Sequence, residues 1–206
     1  MTSRGVFVAF EGADFTGKST QAARLADHLG ALLTREPGGT RLGERVRDLL
    51  LDPLHDEMAD RAEALLYAAA RAQHVAEVIR PALDSGRTVV TDRFVASSLA
   101  YQAAGRGLDL DTVRSLSEFA VDGTWPDLNV LIEVPAEVRR TRAAATPDRL
   151  EGAGDAFHDR VAAAFAAFAA ADPEHWAVVD GSGPVDEVAQ RVRAVVADRL
   201  GGRRRA

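Results

Sequence analysis

The chain contains no cysteine among its 206 residues. This absence excludes disulfide bonds, thiolate catalysis and zinc sites built from cysteine, and it is compatible with a reducing compartment. The chain also has no apolar run long enough to cross a bilayer, and residues 1–4 lack the pattern of a signal peptide. We therefore expect a cytoplasmic protein without a membrane segment.

The chain also lacks an excess of positive charge. Its formal net charge is −6 at pH 7, so a general groove for nucleic acid is not expected. The hydrophobic content of 47% and the charged content of 27% are those of an ordinary globular protein. At this length, we expect residues 1–206 to form a single domain with a full hydrophobic core.

Lysine is the scarcest charged residue. Of the 25 lysine and arginine residues, only Lys18 is a lysine, and it lies in residues 12–19, Gly-Ala-Asp-Phe-Thr-Gly-Lys-Ser. This segment matches the pattern G-x-x-x-x-G-K-[ST] of a phosphate-binding loop. A compact ammonium fits between the β- and γ-phosphate oxygens, whereas the planar guanidinium of arginine would crowd them.

The sequence on both sides of this segment supports the match. Residues 6–10 form an apolar run typical of a buried strand, and residues 19–26 favour a helix. In a strand, loop and helix of this kind, the loop amides and the helix N-terminus point at the phosphates. A chance match in a flexible loop is the alternative, and the scarcity of lysine argues against it. The residues predicted to bind the triphosphate are Gly12, Ala13, Asp14, Phe15, Thr16, Gly17, Lys18, Ser19 and Thr20.

The remainder of the chain alternates apolar strands with helices. Strands are predicted near residues 6–10, 31–34, 88–91, 128–134 and 177–179. Helices are predicted near residues 41–51, 60–83, 95–104, 109–121, 136–144, 157–170 and 185–200, with Pro81 as a kink or break and residues 145–154 as a loop. This order predicts an α/β fold with a five-stranded parallel sheet covered by helices on both faces.

Polar residues follow the predicted strands, where ligands bind in such a sheet. Asp92 and Arg93 end the third strand, and a carboxylate at this place can organise Mg²⁺ beside Ser19. The alternative for Asp92 is a helix N-cap or a structural ion pair with Arg93. We favour the magnesium site because these residues face the phosphate loop.

Several arginines are candidates for binding further phosphate or a base. Arginine makes bidentate phosphate contacts, which makes Arg35, Arg71 and Arg93 candidates, although composition alone would place Arg71 on the surface.

A second group of arginines surrounds residues 143–147, namely Arg139, Arg140, Arg142 and Arg149. These residues indicate either a lid over the transferred phosphoryl group, at about residues 142–154, or a solvated helix face.

Several segments together resemble the bacterial thymidylate kinases. They are residues 10–21, 34–40, 67–73, 92–102, 105–108 and 126–128, and residues 148–151 resemble the end of the family's lid. The resemblance covers about residues 6–168 in order and at suitable spacing. The Arg-Glu-Pro-Gly-Gly-Thr loop and the Asp-Arg-Phe segment that ends in Ala-Tyr-Gln are far more specific than the phosphate loop.

The resemblance implies a P-loop nucleoside monophosphate kinase fold and transfer of the ATP γ-phosphoryl group to dTMP, with Mg²⁺, by a homodimer. It places Asp14 between the two substrates, Arg71, Ser98 and Gln102 near the thymine, and Tyr101 near the deoxyribose. The catalytic residues it implies are Lys18, Asp14, Arg93, Arg142 and Arg149. The acceptor-binding residues are Asp14, Arg35, Pro37, Arg71, Arg93, Ser98, Tyr101 and Gln102, with Arg35 and Arg93 beside the phosphate. Ser19 and Asp92 are the metal-binding candidates.

Two features depart from the family's pattern. Position 15 is usually glycine or a basic residue, and here it is Phe15; residues 143–145, where the family's lid often carries further basic residues, are alanines. These departures leave two alternatives open. The chain could act on another deoxynucleotide, such as dUMP or a 5-modified dUMP, or it could be a weakly catalytic nucleotide-binding regulator.

Lys18 gives the first testable prediction. Lys18→Ala should abolish turnover and leave the fold intact, because the ammonium stabilises charge that develops on the phosphates. Lys18→Arg should also be poor, because the guanidinium does not fit the same space. Steady-state assays of both variants check this, and a near wild-type kcat for Lys18→Arg would contradict the steric argument.

Overall fold

The strands form one parallel sheet in the computed structural model, which describes residues 4–142 and 148–201. Within this part of the chain the strands are β1 (Phe7–Glu11), β2 (Leu32–Arg35), β3 (Val89–Asp92), β4 (Leu128–Glu133) and β5 (Trp176–Asp180). Their order in the sheet is β2-β3-β1-β4-β5, and all four neighbouring pairs are parallel. The predicted fold class is confirmed.

The helices lie between consecutive strands, except the last one, which follows β5. They are α1 (Lys18–Leu29), α2 (Arg41–Leu51), α3 (Asp60–His74), α4 (Arg80–Asp84), α5 (Val95–Ser98), α6 (Leu110–Val121), α7 (Ala136–Arg142), α8 (Asp155–Ala171) and α9 (Val185–Gly201). Two π-helical segments, Val75–Ile79 and Leu99–Gly105, and one 3₁₀ turn, Glu151–Ala153, lie between them. No helix in the described ranges is long and apolar enough to span a membrane.

The helical predictions differ from the structure in two places. The stretch predicted as one helix from 60 to 83 passes through the π-helical turn Val75–Ile79, where the N–H of Arg80 bonds to the carbonyl five residues back. The turn is widened just before Pro81, which has no N–H to donate. The helix predicted at 95–104 is π-helical from Leu99, and such segments are frequent at functional sites.

Both faces of the sheet are buried, which explains its continuous apolar strands. Every residue of β1 is buried, and alternate residues face opposite sides. Val8 and Phe10 pack with α1 and α9 on one side, while Phe7 packs with the helices that precede and follow β3 on the other. With both faces covered, the carboxyl edge of the sheet is left to bind ligands.

The phosphate loop follows β1 and contains two unusual backbone positions. Gly12 has a φ of 139°, and a Cβ there would lie 2.6 Å from the carbonyl oxygen of Ile132, so only glycine fits. Phe15 has a φ of 63°, in the left-handed region that disfavours residues with a Cβ. Phe15, at the position where the resembled family usually has glycine or a basic residue, therefore carries backbone strain.

The strain at Phe15 gives the second prediction. Phe15→Gly should unfold with a free energy about 0.5–1 kcal/mol higher than Phe15→Ala, because both lose the ring and only alanine keeps the strained Cβ. Urea unfolding measures the difference. Gly152→Ala is a matched control, since a Cβ there meets no atom within 4 Å and its φ is not positive, and it should not destabilise the protein. Equal stability of the two Phe15 variants would show that the position is unstrained.

Candidate active site

A cavity of about 530 Å³ opens at the carboxyl edge of the sheet. Most of the residues predicted to bind phosphate or acceptor contribute to its wall, but Gly12, Ala13, Thr16 and Arg71 do not. Those in the wall include Asp14, Phe15, Gly17, Lys18, Ser19, Thr20, Arg35, Pro37, Asp92, Arg93, Ser98, Tyr101 and Gln102. The fold therefore brings together residues that lie almost 90 positions apart in the sequence.

The phosphate loop presents a buried ammonium and a free helix end. Lys18 Nζ donates to the Ala13 carbonyl at 3.3 Å and lies 3.7 Å from Asp14 Oδ1. Burial, followed by the charge of Arg93, lowers the pKa of Lys18. Gly17 precedes α1 without a side-chain cap, so the first N–H groups of the helix are available to an anion.

Asp14, Arg93 and Tyr101 form a closed hydrogen-bonded cluster. Arg93 Nη2 contacts Asp14 Oδ1 and lies 2.9 Å from the Tyr101 hydroxyl, which donates to Asp14 Oδ2 at 2.7 Å. Burial alone would raise the pKa of Asp14, but the charges of Arg93 and Lys18 outweigh it and hold that pKa below its usual value. Asp14 is therefore ionised at neutral pH between two cations.

Arg93 is fixed from several directions. Its Nη1 donates to the Gly12 carbonyl at 2.9 Å and to Ser97 Oγ at 3.0 Å, and its guanidinium stacks on the Tyr101 ring at 4.8 Å. Its backbone has a φ of 71°, which an arginine adopts only where its surroundings hold it. The arginine is thus pre-positioned beside the phosphate loop.

Two acidic residues end adjacent strands near this cluster. Glu11 is fully buried and accepts from the Phe94 N–H at 3.0 Å and the Ser97 hydroxyl at 2.6 Å, and burial raises its pKa. Asp92 has one buried oxygen, Oδ1, without a hydrogen-bond partner in the described part of the chain. It is not the cap of α5, whose N-cap is Phe94.

Asp92 and Ser19 suit a hard cation. Both line the cavity, both supply oxygen, and the unsatisfied Asp92 oxygen needs a donor or a positive charge. A Mg²⁺ ion is bound through one or two protein oxygens together with substrate phosphates and water, so these residues fit such a site.

Arg71 is fully buried, and the surface position that composition suggested for it is wrong. Its Nε donates to Glu36 Oε2 at 2.8 Å, and its Nη2 donates to Ser98 Oγ and to the Phe94 carbonyl, both at 3.0 Å. Its Nη1 is buried with no described hydrogen-bond partner. Arg71 itself is not part of the cavity wall, and its partner Ser98 is.

Glu36 and His74 support Arg71, and the sequence analysis gave neither a role. Glu36 Oε1 lies 3.0 Å from His74 Nδ1, and His74 Nε2 lies 2.6 Å from Thr34 Oγ1. Glu36 and His74 are both buried. Their only sequence signals are that Glu36 follows Arg35 in the specific loop and that His74 follows Arg71 by three residues.

Arg35 lies at the rim of the cavity. It is half-exposed and pairs with Glu44 at 2.8 Å, and Glu44 in turn accepts from the Gly39 N–H at 2.9 Å. Pro37 lies in the same wall, and its carbonyl accepts from Arg47 at 3.0 Å. Arg47 is a further cation of the cavity that the sequence analysis did not single out.

The two candidate lid clamps occupy different places. Arg142 is exposed and donates through Nη1 to the Thr16 carbonyl of the phosphate loop at 3.3 Å. Arg149 instead pairs with buried Glu63 at 2.7 Å and donates to the Leu50 carbonyl at 2.8 Å. The structure therefore brings Arg142, and not Arg149, to the phosphate loop; the alanines at 143–145 lie outside the described residues.

A second cavity, of about 480 Å³, lies on the other side of the phosphate loop. Ala13 and Thr16 of the loop, Ile132 at the end of β4, Arg139 of α7 and Asp180 at the end of β5 contribute to it. Different residues of the phosphate loop thus contribute to two cavities.

Comparisons with known proteins agree with this architecture and with the resemblance seen in the sequence. Residues 10–192 match the family model for thymidylate kinase. The chain is 48% identical to the thymidylate kinase of Leifsonia xyli subsp. xyli, over 97% of this chain and 96% of that one. It is 42% identical to the thymidylate kinase of Lactobacillus helveticus, over 96% and 98% of the two chains.

A solved structure is also similar. The crystal structure of thymidylate kinase from Ehrlichia chaffeensis superposes with a TM-score of 0.78 at 29% identity, over 94% of this chain and 99% of that one. Since the family model covers most of the sequence and these relatives match over nearly their full lengths, the chain belongs to the thymidylate kinase family.

Proposed function

We propose that the protein transfers the γ-phosphoryl group of ATP to dTMP and releases dTDP and ADP. The observation that carries the proposal is the phosphate loop with a cavity on each side, one of which contains the Asp14, Arg93 and Tyr101 cluster. Such an arrangement lets a donor and an acceptor meet over one anion-binding loop. The names of the relatives support the choice of dTMP as acceptor.

The phosphates of ATP would bind to Lys18 and to the backbone N–H groups of residues 12–20. The second cavity suits the nucleoside part of ATP, since it adjoins the loop and includes the cation Arg139 and the carboxylate Asp180. Arginine can stack on a planar base, and a carboxylate can accept from ribose hydroxyls.

The first cavity suits dTMP. Arg93 and Arg35 supply positive charge for the monophosphate, and the Tyr101 hydroxyl, tied to Asp14, lies where the deoxyribose would pass. Ser98 and Gln102 supply polar groups for the base, and Arg71 lies behind Ser98 with one donor unpartnered. Polar groups buried in such a wall disfavour a base that leaves them unpaired.

Phosphoryl transfer needs no covalent intermediate on this chain. The reaction depends on alignment of the two substrates and on neutralisation of charge at the transferred group. Lys18 and Arg93 are held beside the loop for that purpose, and Arg142 reaches it from α7. Asp14, ionised between cations, keeps Arg93 oriented toward the gap between the substrates.

Ser19 and Asp92 are the residues that would hold Mg²⁺ with the phosphates of ATP. When bound, the ion adds positive charge to the phosphate oxygens.

The two rival functions are not favoured. A weakly catalytic regulator was suggested by Phe15 and by the poor lid, but Arg142 supplies the loop with a cation that Phe15 cannot provide. A kinase for a different deoxynucleotide receives no support from the relatives, which are named for thymidylate.

We also propose that the protein is a cytoplasmic homodimer with one kinase domain and a lid at residues 142–154. Leu65 on α3 and Phe119 on α6 are exposed, the latter by 87%, and the two helices pack side by side. Large apolar groups on adjacent helices suit contact with a second copy of the chain.

Arg142 and Arg149 give a paired prediction. Arg142→Ala should lower kcat by about a hundred- to a thousandfold with little change in stability, because the exposed guanidinium acts on charge formed in the transition state. Arg149→Ala should instead lower the free energy of unfolding by about 3 kcal/mol or more, because it leaves Glu63 with less compensation. The checks are kcat at saturating ATP and dTMP, and urea unfolding. A kcat for Arg142→Ala within a few-fold of the wild type would contradict its role.

The acceptor is tested with a panel of nucleoside monophosphates. With ATP and Mg²⁺ in a coupled assay, kcat/KM should be highest for dTMP and much lower for dCMP, dGMP and ribonucleotides. The dUMP arm tests the methyl group, for which a hydrophobic pocket discriminates by only about 10–200-fold. Equal kcat/KM values for dTMP and dCMP would remove the proposed function, and absence of turnover with every acceptor would support the regulator.

A further inference from the structure

Glu63 lies behind the wall of the acceptor cavity and is completely buried. Its Oε1 accepts from Gln102 Nε2 at 2.9 Å, and its Oε2 accepts from Arg106 Nη2 at 3.0 Å. Arg149 Nη2 completes the group at 2.7 Å from Oε2. Glu63 does not line the cavity, whereas its partner Gln102 does.

The charge state of Glu63 is set by these partners. Burial alone would raise its pKa, but the hydrogen bonds from Arg106 and Gln102 and the charge of Arg106 outweigh burial and lower it. An ionised carboxylate has no proton to donate and can only accept hydrogen bonds. The group that Gln102 turns toward Glu63 must therefore be its NH₂.

The bond from Nε2 to Glu63 also determines the direction of the amide oxygen of Gln102. With Nε2 bound to Glu63, the carbonyl oxygen Oε1 is left over, and it accepts no hydrogen bond from any described residue. An amide that is free to rotate presents either branch equally well, and its two orientations are distinguished only by their partners. The carboxylate thus converts an ambiguous side chain into a hydrogen-bond acceptor.

Arg71 adds a donor to this acceptor. It donates to Ser98, which lines the cavity together with Gln102 and lies one helical turn before it, and its buried Nη1 keeps an unpartnered donor. An acceptor combined with a donor is complementary to the N3–H and O4 of thymine or uracil. Cytosine presents the reverse, an N3 acceptor and an amino donor at C4.

We propose that Glu63 is a specificity-determining positioning residue, which holds the Gln102 amide with its oxygen toward the base and so selects 4-oxo pyrimidines against 4-amino pyrimidines. The proposal rests on the proposed function, since it concerns the same acceptor cavity. Glu63 acts through Gln102 and does not contact the substrate.

The test is a comparison of kcat/KM for dTMP and dCMP in the wild type, Glu63→Gln and Arg106→Lys. Glu63→Gln keeps the shape of the side chain but can donate to Gln102 Oε1. The Gln102 amide can then flip, so that its NH₂ group and its oxygen exchange places. The ratio of dTMP to dCMP activity should fall by about tenfold or more, as expected for one reversed hydrogen bond in a buried site. Arg106→Lys weakens the contacts of the same group but keeps a positive charge beside Glu63, so the carboxylate stays ionised. This variant should be less stable, with the ratio unchanged within about threefold.

The outcomes distinguish failure of the proposed function from failure of the role assigned to Glu63. A wild-type enzyme with no preference for dTMP would remove the proposed function itself. A wild-type preference that survives in Glu63→Gln, or that Arg106→Lys loses equally, would overturn the role of Glu63 alone. A loss confined to Glu63→Gln would support it.

A measurement on the wild type covers the case in which Glu63→Gln does not fold. The side-chain NH₂ signal of Gln102 in a ¹⁵N-labelled sample is assigned by its loss in Gln102→Met. One proton of the pair should be shifted downfield and exchange slowly, both in the free protein and with dTMP bound, because it stays on the carboxylate. A signal without these properties, or one that loses them when dTMP binds, would overturn the proposal.

Discussion

Pairing of buried or partly buried arginines with carboxylates holds the acceptor side of the site in place. Arg71 is paired with Glu36, Arg149 with Glu63, and Arg93 with Asp14. Arginine keeps its charge in any environment, so each one taken out of water requires a compensating group. Because a carboxylate comes with each arginine, the guanidinium groups have fixed directions before a substrate arrives. This is the kind of preorganisation that phosphoryl transfer depends on.

The parts of the fold that depend on local sequence patterns could be predicted from the sequence. The apolar strands, the phosphate loop and the helix α1 are contiguous in the chain, and each was predicted close to its observed bounds. Asp92 could be placed at the ligand-binding edge because the carboxyl ends of parallel strands share that edge. In these cases one short segment contains all the necessary information.

Contacts between distant segments could not be predicted in the same way. Arg71 has no local mark of burial, and its partner Glu36 lies 35 residues earlier in the chain. Glu63 is likewise an ordinary first-turn residue of α3 until the fold brings Arg149 to it from 86 residues away. The π-helical course of Leu99–Gly105 was also missed, because the residues in it are equally compatible with an α-helix.

Phe15 and Arg142 are best understood together. The loop accommodates an aromatic residue at a strained backbone position, and that residue contributes no charge. Arg142 contacts the same loop through the Thr16 carbonyl. Part of the positive charge beside the loop therefore comes from the end of α7, in addition to that of Lys18 and Arg93.

The burial of Lys18 has a practical consequence for the study of this molecule. No other side chain carries a primary amine, and there is no thiol, so reagents directed at amines have one internal target. Its lowered pKa gives that amine a larger neutral, nucleophilic fraction than a surface lysine has. A bound triphosphate would cover it. Acylation of a single atom thus reports whether the loop is occupied, and a cysteine introduced at any position would be the only thiol available to a spectroscopic label.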